Sequence, residues 1–451
     1  MNISIKQTSE GPVLNFKGEN FSVKYPQNIW INLPEDFRRF FLDNYIFLKS
    51  VHLPLMFKET KVNLNTNYPL LKSFISFIYT MSAPSIGDAN GLSTEDCFKL
   101  LNDSIFRFKG FEIKRPNIDL HKLNESCVMS FSFGKDSLFN FSIAREIGLE
   151  IHPIWVMERG APLENEFKEK MCIPFEKEFG VKIEKLKNET MVLHDYRYFN
   201  LKSDLDYIVS HLMTEYAFLM LPYMINYKSK MMVFGNEQSC NFTYINRDGY
   251  TCYPEFDQTV VWMKELNNIL NMVFNTELNV VSFVEPLHDI SITKILHERY
   301  PEIGKYQYSC FPDLTEGNKY DRWCCNCSKC ARLYIIFKAL GIDTKKLGFE
   351  EDMLSKYHMK YYPIFNKSND NAYDRSGVGK DEQMLAFLLA SENGVKGYLI
   401  DYFKKKFFKD VKKREDELRR MFFGIHTFET IPKKYKKKLR SIFKEELSGL
   451  W

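Results

Sequence analysis

The sequence predicts an α/β protein, a doubly wound parallel sheet with an N-terminal α+β domain before it and a helical C-terminal region after it. Three observations lead there. From about Ser126, strand-like, loop and helix-like segments alternate in the manner of a parallel sheet with crossover helices. Before that, short β-like runs sit between Gly and Pro turns and give way to apolar segments with helical spacing. After it, no strand pattern returns, and the chain continues with helical periodicity to Trp451. The domains so defined are residues 1–120, 121–345 and 346–451.

Taken in order, Ile3 to Ile5, Val13 to Phe16 and Phe21 to Tyr25 read as strands, and Phe37 to Phe47 and Leu71 to Tyr79 as helices. In the core, Cys127 to Phe131 is a strand, Ser137 to Ile147 a helix and Ile151 to Val156 a second strand. Tyr207 to Tyr223 follows as a long apolar helix, then Met231 to Phe234 as a buried strand ending at Gly235. Val280 to Val284 supplies another strand, and the next helix runs through Ile292 to Arg299. No internal repeat or low-complexity tract is present beyond the Lys-rich end.

With 451 residues, 45% hydrophobic and 15% aromatic, the chain can bury large cores in two or three domains, which excludes a disordered protein. No apolar run reaches the roughly 18 to 20 residues that cross a bilayer, and Met1 to Lys6 lacks the apolar core of a signal peptide, so a cytosolic protein without membrane partners is expected. The net charge of +4 is uninformative, but its distribution is not. Asp401 to Glu446 carries sixteen Lys/Arg against eight Asp/Glu.

The sharpest motif is Ser132-Phe133-Gly134-Lys135-Asp136-Ser137, between a buried strand and a helix start. Successive amides, a helix N-terminus and a Lys there make a site for a polyphosphate. Asp136 adds a candidate Mg²⁺ ligand, and Ser132 and Ser137 offer hydroxyls to phosphate oxygens or to the helix's unpaired donors. This resembles the PP-loop, or ATP-pyrophosphatase, superfamily of HUP-like fold, whose motif is Ser-Gly-Gly-any-Asp-Ser after the first strand. The resemblance implies that the loop grips the β,γ-pyrophosphate of ATP while a substrate oxygen attacks the α-phosphorus. Phe133 stands where that family has its first Gly, and Phe does not readily take positive φ, so the loop geometry is the point of doubt.

Gly235-Asn236-Glu237-Gln238-Ser239 follows another strand and should lie at the same carboxyl edge, with Gly235, Asn236 and Glu237 as nucleotide contacts or merely a polar loop. Lys294, placed in the first turn of the helix after Pro286, is a cation where the helix dipole disfavours one, which suggests an anionic partner as readily as a solvated Lys. In the resembling families a Lys after this Pro contacts the phosphates.

Cys324, Cys327 and Cys330 form C-x2-C-x2-C, with Cys310 upstream across a loop holding Pro312, Asp313 and Gly317. Four thiolates close a tetrahedral zinc site, with Cys325 a possible substitute for Cys324 and an iron–sulfur cluster the main rival. A phosphate loop followed by this cysteine pattern resembles QueC, the nitrile synthase of the queuosine precursor, in which such cysteines bind zinc. Tyr253-Pro254-Glu255-Phe256 is loosely similar to a substrate loop of that family. The length, the N-terminal domain, Gly235 to Ser239 and Arg322-Trp323-Cys324 through Lys329-Cys330 look more like the MurL-type epimerases of the terminal glutamate in a UDP-muramoyl dipeptide.

Both resemblances imply transfer of AMP to a small-molecule carboxylate. A QueC-like enzyme then admits ammonia, or passes a deazaguanine to a protein. A MurL-like one moves the α-proton between faces, which needs an acid/base pair, with Glu237, Glu255, Asp257 and His288 as candidates. The stabilisation of the α-phosphorus would fall to Lys135, Asp136, Lys294 and the loop amides with Mg²⁺. A tRNA-modifying enzyme is the alternative from another class, on the basic stretch from Tyr402 to Arg440, and a non-catalytic ATP-binding module a third, on Phe133 alone. Oligomeric state is not readable.

Overall fold

Alternation along the central strands sends side chains to two separate cores, one on each face of a sheet. Cys127 and Met129 enter one core and Val128 the other; Met231 and Val233 enter the first, Met232 and Phe234 the second. The computed structural model describes residues 1–120, 122–201, 211–310, 322–366 and 376–451. The predicted helix from Tyr207 begins, among these, at Leu212 and runs to Asn226, with 207–210 outside the described residues.

Twelve strands are present among the described residues: β1 Asn2–Gln7, β2 Pro12–Phe16, β3 Glu19–Lys24, β4 Lys61–Asn67, β5 Ile105–Gly110, β6 Asn124–Ser130, β7 Glu150–Glu158, β8 Glu184–Asn188, β9 Ser229–Val233, β10 Tyr244–Ile245, β11 Thr251–Cys252 and β12 Asn279–Val281. Ten form one mostly parallel sheet in the order β12-β9-β6-β7-β8-β3-β2-β1-β4-β5, and β10 pairs with β11. The five core strands are mutually parallel and run β8-β7-β6-β9-β12, so the chain winds outward from β6 in one direction and then, from β9, in the other. The reversal falls between β6 and β9, where a crevice opens at the carboxyl ends of an α/β sheet.

The N-terminal α+β unit does not stand apart from the core. β3 pairs antiparallel with β8 through Val23 opposite Asn188 and Lys24 opposite Lys187, which closes an otherwise open edge. Helices Glu35–Leu48, Lys72–Ala89, Leu212–Asn226 and Val260–Phe274 bury Phe41, Ile75, Leu219 and Trp262 in the core of one face. The other face is covered by Lys135–Glu146, Pro162–Phe179, Asp289–Glu298 and Ser328–Ala339, and by C-terminal helices that add Phe387 and Phe443. Burial of each such large side chain contributes about 1.5–3 kcal/mol, so the C-terminal region is an integral layer. No helix among the described residues is long and apolar enough to cross a membrane.

Candidate functional site

Ser132 to Ser137 connects β6 to the helix Lys135–Glu146 at the point of reversal. Phe133 has φ of +60°, the left-handed conformation that glycine would supply. The strain, roughly 1–2 kcal/mol, is offset by full burial of its ring against Phe131 at 4.9 Å and Phe175 at 5.4 Å. The doubt raised by Phe133 is thus answered by packing. The hydroxyls of the loop also serve the loop itself: Ser132 N–H donates to Ser137 Oγ (3.2 Å), Ser137 Oγ to the Gly134 carbonyl (3.0 Å) and Gly134 N–H to Ser132 Oγ (3.3 Å). No side chain caps the helix start at Gly134, so the helix presents its first-turn amides and the positive end of its dipole. Phe133→Gly is expected to keep the loop conformation and nucleotide binding while costing about 2–3 kcal/mol of stability, the lost ring outweighing the relieved strain; urea unfolding with and without nucleotide checks both.

Lys135 points into a knot of carboxylates. Its buried Nζ lies 2.5 Å from Asp136 Oδ1 and 3.3 Å from Glu237 Oε2, and it also pairs with Asp289 Oδ1. Asp289 Oδ2 in turn meets Arg332 Nε at 3.2 Å. Burial alone would lower the Lys135 amine, but the charges of Asp136, Asp289 and Glu237 outweigh it and raise it well above its ordinary value. Burial pushes Asp136 up, and burial with the Asp289 charge pushes Glu237 well above the usual carboxylate range. Asp289 resists burial and is held low, by Arg332 first and then Lys135. One carboxylate oxygen from each of Asp136, Glu237 and Asp289 falls within 4.8 Å of the others, a donor set of the hard oxygen type that suits Mg²⁺.

Gly235 is where it is because Asp136 packs on it: a Cβ there would lie 2.7 Å from the Asp136 Cβ. Asn140 ties the helix Lys135–Glu146 to the ends of β9 and β12, donating Nδ2–H to the Phe234 carbonyl (2.8 Å) and accepting from Phe283 N–H (3.0 Å). Asn236 is buried beside it, with its carbonyl accepting from Ser282 Oγ and its Nδ2 without a partner.

The cysteines converge next to this knot. One sulfur each from Cys310, Cys324, Cys327 and Cys330 lies within 4.8 Å of the others, and Cys330 Sγ is 3.7 Å from both Cys310 and Cys324. A single zinc with Zn–S bonds of ~2.3 Å asks for sulfur spacings near 3.8 Å, so the residues fit such an ion. Backbone amides orient the sulfurs: Cys324 N–H donates to Cys310 Sγ, Asn326 N–H to Cys324 Sγ and Cys330 N–H to Cys327 Sγ. Cys324 rather than Cys325 belongs to the set; Cys325 takes a left-handed φ of +51° and is buried in the apolar core. Pro312, Asp313 and Gly317 lie outside the described residues. Tyr308 N–H donates to the Phe133 carbonyl (2.8 Å), which ties the segment leading to Cys310 to the Ser132–Ser137 loop. The helix begun by Cys327 carries Arg332 to Asp289 and the half-buried Lys329 to where its charge acts on Asp136.

Lys294 is not part of this assembly. Its helix starts at Asp289, so Lys294 sits in the second turn, about 140° around the axis from Asp289, and pairs with Glu298. The first-turn residue is the acid Asp289, in accord with the dipole. Of the four acid/base candidates, Glu237 is in the knot. Asp257 accepts from Thr214 N–H (3.0 Å) at the start of the helix Leu212–Asn226, a structural cap. His288 starts the helix Asp289–Glu298 with its ring against Phe422 and His426, and Glu255 is half-buried outside the carboxylate set.

Two constellations were not foreseen. Glu158, at the carboxyl end of β7, accepts from Tyr216 O–H at 2.5 Å and is pushed to about 7 by burial, with Glu215 and Glu164 adding repulsion. Beyond β8, Lys49, Glu215, His52, His194 and His211 form a fully buried polar cluster. Because the Glu158 carboxyl is raised from 4.5, folding takes up its proton, and its contribution is present below about pH 4.5 and lost as pH rises through about 7. Glu158→Gln is expected to remove that loss, on the order of 3 kcal/mol at the upper end, and to flatten the pH dependence of urea unfolding across that window.

No protein-family model matches the chain, and no curated protein matches it.

Proposed function

We propose that this chain is an ATP-pyrophosphatase of the PP-loop type that adenylates a substrate carboxylate, most like a MurL-type epimerase of a terminal L-glutamate in a UDP-muramoyl peptide. The observation that carries the reading is the loop itself: Phe133 adopts the conformation that the family's glycine would, at the sheet's point of reversal, with Lys135 and three carboxylates immediately behind it. In the reaction a carboxylate oxygen of the substrate attacks the α-phosphorus, the bond to the β-phosphate bridging oxygen breaks, and pyrophosphate leaves. The first-turn amides of the helix Lys135–Glu146 bind the phosphates, Lys135 and Arg332 offset their charge, and Asn140 fixes the helix to the ends of β9 and β12. Asp136, Glu237 and Asp289 would hold Mg²⁺, whose chemistry is to neutralise the departing pyrophosphate. The cysteine centre would hold zinc in a structural role, since four sulfurs within 4.8 Å suit one ion better than a multi-iron cluster, which spreads its thiolates wider.

For the epimerisation step the paired Glu158 and Tyr216 join Glu237 as acid/base candidates, because a carboxyl that titrates near neutrality can both take and return a proton. The QueC-like reading shares the loop and the cysteines. The tRNA reading loses part of its footprint, because Lys412, Lys413, Arg414, Arg419 and Lys434 are each paired with carboxylates. Phosphorus NMR of ATP with the enzyme and Mg²⁺ separates these: AMP and pyrophosphate are expected with UDP-muramoyl-L-alanyl-L-glutamate. Their appearance only with carboxy-deazaguanine and ammonium would shift the substrate class, and silence with both would overturn the two carboxylate readings.

A further inference from the structure

The polar cluster beyond β8 is built from segments far apart in the chain. Lys49 and His52 follow the helix Glu35–Leu48, His194 ends the turn after β8, and His211 and Glu215 begin the helix Leu212–Asn226. Their burial is complete or nearly so, and burying five such groups together is costly unless each is satisfied.

Glu215 is satisfied. Its Oε1 accepts from Tyr45 O–H (2.9 Å), Asn188 Nδ2–H (3.0 Å) and Thr190 O–H (2.9 Å), and its Oε2 pairs with Lys49 Nζ at 2.6 Å. The imidazoles meet one another. His194 Nε2 lies 2.6 Å from Lys49 Nζ and 3.0 Å from His211 Nε2, yet it has one in-plane position for one partner. His52 Nε2 meets the Leu193 carbonyl at 2.9 Å, which leaves Nδ1 as its other nitrogen, fully buried and without a partner among the described residues. Tyr79 O–H lies 2.6 Å from His211 Nδ1 and 3.1 Å from its Nε2, and that Nε2 is 3.0 Å from His194 Nε2.

The arrangement at His52, in which one ring nitrogen is fixed by a carbonyl and the other is left over, is how metal-bound histidines are oriented. One nitrogen from each ring lies within 4.8 Å of the others. We propose that His52, His194 and His211 form a second metal site, distinct from the cysteine centre, for a divalent ion of the imidazole-preferring class such as zinc. Such an ion takes three histidine nitrogens with room for a fourth ligand. The rings of His52 and His194 stack at 3.9 Å with planes 22° apart, so closing on one ion asks for rotation about χ2, a soft torsion for imidazole. Binding displaces the Lys49–His194 and His194–His211 contacts, and Lys49 keeps its pair with Glu215, whose other donors stay intact.

The test is metal analysis of the full chain expressed with supplemental Zn²⁺, so that the ion is present while the buried site folds, combined with X-ray absorption at the zinc edge. One zinc equivalent beyond whatever the four cysteines carry, with nitrogen scatterers in its shell, is expected. A His194→Gln, His211→Gln double variant should lose one equivalent of nitrogen-ligated zinc and keep the sulfur-ligated metal. Lys49→Met, which removes the ammonium nearest the rings, should retain both. A wild-type protein whose only zinc has an all-sulfur shell, or that has no zinc beyond the cysteine centre, would overturn the site and leave the cluster a hydrogen-bond network. Neither outcome depends on whether the chain adenylates a carboxylate.

Discussion

Lys135→Met is expected to lower the rate of AMP and pyrophosphate formation by about 10²–10³-fold, the effect of removing one preorganised charge that meets the reacting phosphates. The same substitution strips from Asp136, Glu237 and Asp289 the ammonium that all three share, so the folded state should lose on the order of 3–5 kcal/mol, as when one partner of a buried ion pair is removed. The two effects are separable. Without the ammonium the three carboxylates become a better site for a hard cation, so millimolar Mg²⁺ should raise the thermal midpoint of the variant more than that of the wild type. Calorimetric scans with and without Mg²⁺, read beside phosphorus NMR of turnover, check this. A variant as stable as the wild type and indifferent to Mg²⁺ would mean that the knot does not carry the charge described.

The second large effect belongs to the cysteine centre. Cys327→Ser removes one of four converging sulfurs and is expected to release the metal, with loss of a large share of a binding energy that reaches roughly 10–16 kcal/mol for structural zinc. Because Cys327 starts the helix that carries Lys329 and Arg332 to the carboxylates, and Tyr308 ties the Cys310 segment to Phe133, loosening this centre should also weaken nucleotide binding. Metal content, a melting curve and nucleotide titration on the same sample check it. Retained metal with intact nucleotide affinity would contradict the coupling.

How far the sequence reached follows from what each feature needs. The strand-to-helix loop Ser132 to Ser137 and the cysteine set were legible because each is a short run that depends on local spacing. The conformation of Phe133 was not legible, because part of the burial that holds it at positive φ comes from Phe175, on a helix 42 residues onward. Lys294 was placed one turn early because His288, which begins its helix, is not a usual capping residue and gave no boundary signal. Two more features lay beyond local reading. β8 reads Glu-Lys-Leu-Lys-Asn, too charged to announce a strand, and so its pairing with β3, which joins the N-terminal unit to the core, was hidden. Lys49 and Glu215 are 166 positions apart, and nothing in either neighbourhood points to the other.

The central claim is that a substrate carboxylate becomes attached to AMP. The most direct measurement follows heavy oxygen from the γ-carboxylate and α-carboxylate of the substrate glutamate into the nucleotide by mass spectrometry after turnover with unlabelled ATP. The account predicts AMP carrying one heavy oxygen from the substrate, because hydrolysis of the adenylate at its carbonyl leaves that oxygen on phosphorus. Unlabelled AMP, or ADP and phosphate in place of AMP and pyrophosphate, would contradict it.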